Sequence, residues 1–364
     1  MKVLQLGKFF PIRGGVEKVM WDITRGLRSR GIRCEMLCAK APGGEVPPEG
    51  MTCVRSYAKI AGTMIAPAMI PWMRKHAGQY DIIHIHHPDP MAALALWMSG
   101  YKGRVIVHWH SDIVSQRFFL FFYRPLQGWL LRRAEKIVGT SPVYLRESPF
   151  LKKVQDKCTC IPIGIEKLCF DPEEAEGIRK RFGGNRLVFS LGRLVPYKAY
   201  SNLVRAAAEL PEDYSVVIGG DGPEREMLTS LISELGLEHK VHLAGYIPDG
   251  ASEAYFGACD VFVLCSRWKT EAFGIVQIEA MSCGKPVVAT EIPQSGVPWV
   301  NEDGVSGLNV PVDDPSAIAS AICRICSSPD YYERLSQGAA KRFEETFTMQ
   351  MMIDKTIQLY EEKI

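Results

Sequence analysis

The chain is expected to be an α/β protein of two doubly wound, Rossmann-like domains facing across a cleft. Three observations predict this. Its 364 residues exceed what one ordinary core organises, so two domains are the natural division. Short apolar runs at 3–6, 34–39, 187–191, 215–218, 260–265 and 287–290 alternate with helical periodicities, which is the βα rhythm of parallel sheets. Several runs then open into glycine-bearing or polar loops, and open α/β sheets place ligands outside the carboxyl ends of their strands.

Composition removes several classes of function. The chain is 47% hydrophobic and 23% charged, normal for a soluble globular protein, and a net charge of +2 argues against a general nucleic-acid binder. Eleven cysteines form no paired zinc-type spacing. Cys158-x-Cys160 and Cys323-x-x-Cys326 come closest, and all read as free thiols of a reducing cytosol. Residues 1–10 read as a strand without a signal-peptide core, and no apolar run reaches the length of a membrane span. A cytoplasmic protein is expected.

The first strand, Val3-Leu4-Gln5-Leu6, leads through a loop ending in Arg13-Gly14-Gly15 to a helix. Val16, Val19, Met20, Ile23 and Leu27 share one face of that helix, and Gly31 ends it. Glycines between a strand and a helix N-terminus let the backbone approach phosphate oxygens, although the same pair also serves an ordinary tight turn. The dinucleotide pattern G-x-G-x-x-G is absent.

Residues 60–73 are apolar, broken by Pro67 and Pro71, and end in Arg74-Lys75-His76. They read as a core-packed helix and loop or as a membrane-facing segment. Asp81-Ile82-Ile83-His84-Ile85-His86-His87 reads as a strand end with its loop. His84 and His86 would share a face, but no acidic or cysteine partner is spaced to complete a metal site, so no metal is expected there. A strand at 104–107 enters His108-Trp109-His110-Ser111-Asp112, with His110 either at a ligand or structural. Residues 117–133, rich in Phe, Leu and Trp and edged by arginines, read as a helix that is buried or partly in contact with lipid.

The second half opens with a strand at 187–191 and the loop Gly192-Arg193-Leu194-Val195-Pro196-Tyr197-Lys198. Two cations on one loop at a strand's carboxyl end suit a diphosphate better than a protein carboxylate. Gly219-Gly220-Asp221-Gly222-Pro223 follows the next strand, and Gly245-Tyr246-Ile247 a later one. Then comes Glu271-Ala272-Phe273-Gly274-Ile275-Val276-Gln277-Ile278-Glu279, read as a loop and a helix starting at Gly274. The unpaired N–H groups of that start suit a phosphate, and the carboxylates eight positions apart suit hydroxyls at two points along a ligand.

The last pattern, followed by A-M-x-x-G-x-P-V-V-A-T from Ala280, closely resembles the retaining glycosyltransferases of family 4, which have the GT-B architecture. The resemblance covers almost the whole chain and is densest at 187–310. It implies that Glu271 faces the transferred sugar and Glu279 holds the nucleotide ribose. It places Gly14 and Gly15 (P-x-x-G-G-x-E) against the donor phosphate and the acceptor, with Arg13 on the acceptor side. It sets Arg193 and Lys198 (G-R-L-x-x-x-K-G, with Ala199 for the usual Gly) on the diphosphate. Gly222 and the backbone of Tyr246 and Ile247 fall on the donor, as do Ala272, Phe273, Gly274 and Ile275. His84 and His86 would line the cleft, and His110 would lie beside the transferred sugar with Asp112 on the acceptor side. The resemblance divides the chain into an acceptor-side domain at 1–165, a donor domain at 166–348 and a last helix at 349–364 packed back on the first.

The expected reaction is therefore transfer of a hexose from a nucleotide diphosphate sugar to a saccharide or lipid-linked saccharide hydroxyl, with retention. Residues 108–114, the aromatic helix and Thr140-Ser141-Pro142 look like bacterial mannosyltransferases of surface polysaccharide synthesis, lipopolysaccharide included, which favours GDP-mannose over UDP-sugars. No D-x-D pair occurs, so no metal clamp is expected, and Glu271, His110, Arg193 and Lys198 are the candidate catalytic residues. The aromatic segments add an expectation of peripheral contact with an anionic membrane. A GT-B nucleotide-sugar 2-epimerase and a non-catalytic nucleotide-sugar binding subunit are the alternatives.

Overall fold

A computed structural model describes residues 1–12, 14–41, 45–60, 62–113, 117–183, 186–248 and 250–362, side chains of 117–120 excepted. The chain divides into two units, Met1–Gly164 with Met349–Ile364, and Ile165–Thr348. The first stretch runs β1 (Lys2–Phe10), α1 (Gly15–Ser29), β2 (Arg33–Lys40), β3 (Met51–Arg55), β4 (Ala58–Ile60), β5 (Thr63–Ile65), α2 (Met69–His76), β6 (Ile82–His87), α3 (Pro90–Ser99), β7 (Arg104–Trp109), α4 (Arg117–Arg133), β8 (Lys136–Gly139), α5 (Pro142–Glu147) and β9 (Cys158–Cys160). The second runs α6 (Pro172–Phe182), β10 (Arg186–Leu191), α7 (Tyr200–Ala207), β11 (Tyr214–Gly219), α8 (Arg225–Glu234), β12 (Val241–Gly245), α9 (Ser252–Ala258), β13 (Val261–Leu264), α10 (Ile275–Ser282), β14 (Val287–Thr290), α11 (Val297–Val300), β15 (Gly307–Val310), α12 (Pro315–Cys326) and α13 (Pro329–Thr346). Helix α14 (Met349–Glu361) closes the chain.

In unit 1 seven parallel strands stand in the order β3-β2-β1-β6-β7-β8-β9. Strands covered on both faces read as continuous apolar runs, and Val3, Leu4, Leu6, Ile83, Ile85, Val105 and Val107 are fully buried. Each such side chain contributes about 1.5–3 kcal/mol. Helix α1 turns Val19, Met20, Ile23 and Leu27 inward. Helix α14 lies close enough that a Cβ at Gly26 would strike the Ile353 side chain, and Arg30 pairs with Asp354 at 2.9 Å. The strand order reverses between β1 and β6, so a ligand crevice belongs at the carboxyl ends of that pair.

The two apolar segments are only partly covered. Within 60–73, where a helix and loop are the core-packed expectation, β4 and β5 form an antiparallel hairpin and the helix begins only at Met69. Lys59 and Ile60 of that hairpin are exposed. Among the described side chains of α4 one side is covered. Tyr123, Gln127, Leu130 and Leu131 are buried, whereas Phe121 and Phe122 are 71% and 66% exposed. No helix of the described residues is long and apolar enough to cross a membrane.

Unit 2 repeats the plan with six parallel strands ordered β12-β11-β10-β13-β14-β15. Its core is built from Val188, Val216, Ile218, Val261, Val263 and Val288 of the strands, with Leu203, Leu228, Ile318 and Ile322 of the helices. The order reverses between β10 and β13. The loops leaving those two strands carry Arg193 and Lys198 on one side and Glu271 on the other.

Candidate active site

Strand β10 ends at Leu191, and its loop closes in a single 3-10 turn, Pro196–Lys198. The turn brings the Lys198 ammonium to 2.5 Å from Glu271 Oε2, and Ser266 Oγ donates to the same oxygen at 3.1 Å. Both side chains of the ion pair are nearly covered. Burial works to lower the Lys198 pKa, but the Glu271 carboxylate and then Tyr197 raise it, and the net direction is upward. Ala199, which follows, holds φ +53 and ψ 37, a left-handed conformation that costs an L-residue about 1–2 kcal/mol. Arg193 is exposed on the same loop, and no ion pair holds it among the described residues.

Glu271 is itself strapped from below. Its carbonyl accepts from Ser295 Oγ at 2.5 Å, and the Ala272 carbonyl accepts from the Gly296 N–H at 2.9 Å. Gly274 then caps α10 at φ +75, where a Cβ would lie 2.7 Å from Leu264 and Gln277. No side chain caps this helix start and no acid stands in its first turn, so its N-terminal dipole is not offset locally. Ala272 and Phe273 are buried, with Phe273 edge-on to Phe347 at 5.9 Å, so only their backbone can meet a ligand. Ile275 and Glu279 are half-buried on α10.

Gly222 lies where β11 gives way to α8, and any side chain there would collide with the Leu194 backbone. The contact is fixed by Leu194 N–H donating to the Asp221 carbonyl and Glu224 N–H to the Leu194 carbonyl, both 3.0 Å. Ile247 is buried and Tyr246 is 74% exposed beyond β12.

In unit 1 the predicted residues meet differently. Arg13 lies outside the described residues. Gly14 and Gly15 are exposed at the start of α1, where buried Glu17 already occupies the first turn. His84 and His86, expected to line a cleft, are instead buried completely: parallel register turns their rings to the inner face beside His108 and His110. His86 Nδ1 lies 2.9 Å from His110 Nε2, and its Nε2 lies 2.7 Å from Gln5 Oε1. His84 Nδ1 meets the Tyr360 hydroxyl at 2.6 Å. Ring nitrogens of His84, His86 and His108 fall within 4.8 Å of one another. Both nitrogens of His86 are already engaged, whereas both nitrogens of His108 and Nε2 of His84 have no hydrogen-bond partner among the described residues. Burial pushes His84, His86 and His110 well below the ordinary histidine pKa, and His108 down to about 3. Asp112 Oδ1 accepts from Trp109 Nε1 at 3.0 Å and from Ser148 Oγ at 2.7 Å, which makes it a brace of the loop carrying His110.

Five residues that the structure brings forward carried no functional signal in the sequence. Gln5 was visible as the one polar residue in its apolar strand, but Tyr360, 355 positions away, gave no signal. Ser266 and Ser295 are ordinary loop serines until the fold brings them to Glu271. Lys8, in unit 1, sits at the carboxyl end of β1 with φ +62, its amide donating to Asp89 Oδ2 and its ammonium to the Pro88 carbonyl at 2.6 Å.

Two family models match in succession, Glycosyltransferase Family 4 over residues 13–167 and Glycosyl transferases group 1 over 171–342. The O-antigen chain mannosyltransferase C of Escherichia coli is 31% identical, over 99% of this chain and 98% of that protein. This chain belongs to the family 4, group 1 glycosyltransferases. D-rhamnosyltransferase WbpZ of Pseudomonas aeruginosa is 30% identical, over 92% of this chain and 88% of its own. Among solved structures, Anabaena HepE in complex with UDP superposes with a TM-score of 0.82 at 21% identity, over 99% of each chain. Sucrose-phosphate synthase of Thermosynechococcus elongatus gives 0.80 at 22%, over 99% of this chain and 98% of that one. The glycosyltransferase fold seen here is thus the GT-B class, made of two Rossmann-like domains.

Proposed function

We propose that this glycosyltransferase moves mannose from GDP-mannose, with retention and without a metal, to a saccharide or lipid-linked saccharide of a bacterial surface polysaccharide. The observation that carries the reading is the Lys198–Glu271 pair at the strand-order reversal of unit 2, beside the uncapped start of α10. One donor of the ammonium is engaged by Glu271, leaving two for diphosphate oxygens, and Arg193 adds a second cation. As the bond from the anomeric carbon to the diphosphate breaks, those cations take up the charge that develops on oxygen. The acceptor oxygen bonds to the same carbon from the leaving-group face, and its proton passes to the departing diphosphate. Glu271 orients the sugar, Glu279 holds the ribose, and His110 contacts the sugar hydroxyls. The two relatives above are named for mannose and D-rhamnose, sugars that share the axial C2 hydroxyl and differ only at C6, which supports a manno-configured donor.

The purified chain, supplied with GDP-mannose, UDP-glucose and UDP-galactose in EDTA and a panel of acceptors, tests this. Transfer from GDP-mannose to an α-linked product, read by NMR, is expected. A strict need for a divalent cation, or conversion of the donor without acceptor, overturns it. We place the acceptor at a membrane surface because Tyr57, Ile60, Phe121 and Phe122 are exposed on unit 1, which also exposes Arg55, Lys59, Arg74, Lys75 and Arg124. Salt-sensitive sedimentation with anionic vesicles is the expected result, and no sedimentation at low salt removes the membrane from the account.

A further inference from the structure

We propose that Gln5 and Tyr360 are positioning residues that fix the tautomer of His110, leaving its Nδ1 as a hydrogen-bond acceptor for a substrate hydroxyl. The proposal deepens the reading of His110 as a sugar-contacting group and rests on that reading.

One chain of hydrogen bonds runs through the interior of unit 1. The Gln5 carboxamide nitrogen donates to the Tyr360 hydroxyl at 3.1 Å, and the Cys34 thiol lies beside the same amide. Burial pushes the Cys34 thiol up to about 12, so it stays protonated and is at most a weak donor. With its nitrogen committed to Tyr360, Gln5 turns its oxygen to His86 Nε2 at 2.7 Å. A carboxamide oxygen only accepts, so His86 carries its proton on Nε2 and its Nδ1 is bare. That bare nitrogen lies 2.9 Å from His110 Nε2, which must therefore supply the hydrogen. A neutral imidazole has one N–H, and burial keeps both rings neutral. His110 Nδ1 is then left without a proton. Tyr360 completes the chain by donating its own hydrogen to His84 Nδ1 at 2.6 Å.

The structure supplies reasons why this order persists. Gln5, His86 and Tyr360 are all buried, so water does not compete for their hydrogens. Rings of His86 in β6 and His110, one residue past β7, stack at 5.1 Å within 15° of parallel, and the His110 backbone N–H donates to the His87 carbonyl at 3.2 Å. The return of α14 to unit 1 thereby acquires a chemical task besides packing, because it delivers the hydroxyl that orients the Gln5 amide. A donor at His110 would meet the lone pairs of a sugar hydroxyl, whereas an acceptor holds the hydroxyl hydrogen and raises electron density on its oxygen.

The test labels histidine with ¹⁵N in the full chain and reads ring tautomers by long-range ¹H–¹⁵N correlation, with His86→Gln and His110→Asn spectra for assignment. His86 and His110 are both expected as Nε2–H tautomers at pH 7.5. Gln5→Met and Tyr360→Phe should give mixed tautomers at His110, with kcat down at least about tenfold and donor KM unchanged, as for one lost orienting hydrogen bond. An Nδ1–H tautomer at His110 in the unsubstituted chain overturns the proposal whatever the activity. So does a His110 signal unmoved in both variants when circular dichroism shows them folded. Expected tautomers together with full turnover of His110→Ala would instead overturn the sugar-contacting role and leave the hydrogen-bond order standing.

Discussion

At the strand ends of unit 2 charged groups gather: Lys198 against Glu271, Arg193 exposed nearby, and a helix start with no acid in its first turn. Unit 1 has the same parallel sheet with a reversal of strand order. Its inner face there carries four neutral imidazoles, a carboxamide and a tyrosine, and the exposed start of α1 already holds Glu17. On the proposed function, the two units divide the labour. A site for a diphosphate needs unpaired positive potential, which a buried glutamate at the α1 start opposes. A site that orders hydroxyl groups needs directional donors and acceptors, which neutral buried groups keep fixed because titration is suppressed.

The largest expected effect separates the units by acid. Burial holds His84, His86, His87, His108 and His110 below their ordinary pKa. They are neutral in the fold and protonated in the unfolded chain at acid pH, so the unfolded state binds more protons there. Their stabilisation is complete above about pH 6.5 and is lost as the pH falls below it, by up to about 1.4 kcal/mol per histidine per pH unit. Unit 2 has only His242 with such a shift among the described residues. Hydrogen exchange followed by mass spectrometry from pH 7.5 to 5 should show β1, β6 and β7 losing protection before β10 and β13. Simultaneous loss in both units would break the comparison.

Next in size is Lys198→Ala. Removing a cation that faces the developing charge should cut turnover at least about a hundredfold. Activity within a few fold of the unsubstituted chain, in a folded variant, would take Lys198 out of the reaction. The smallest effect is Ala199→Gly. Relief of the left-handed alanine, less the extra chain entropy of glycine, should stabilise unit 2 by about 0.5–1 kcal/mol. A denaturation midpoint that falls instead would mean the loop depends on the methyl group.

The contrast also explains what could be read beforehand. Both sheets, the α10 start and the Arg193–Lys198 loop were legible because charges and glycines after apolar runs are local signals. Ala199 stood out as a departure, and its positive φ shows why glycine is usual there. The hairpin β4–β5 was not legible, because residues 58–65 are too short for periodicity to separate strand from helix. The burial of His84 and His86 was not legible, because alternation alone does not show that both faces of β6 are covered. The Gln5–Tyr360 bond was invisible because it spans 355 positions.

Under the proposed function a nucleoside diphosphate sugar sits on Arg193, Lys198 and Glu279 of unit 2. Titration calorimetry with GDP-mannose in EDTA, on the unsubstituted chain, Glu279→Gln and Arg193→Ala/Lys198→Ala, tests it most directly. The account predicts metal-free binding to the unsubstituted chain, about 1.5–3 kcal/mol weaker in Glu279→Gln for a lost charged hydrogen bond and weaker still in the double variant. Binding of equal strength in all three proteins would contradict it.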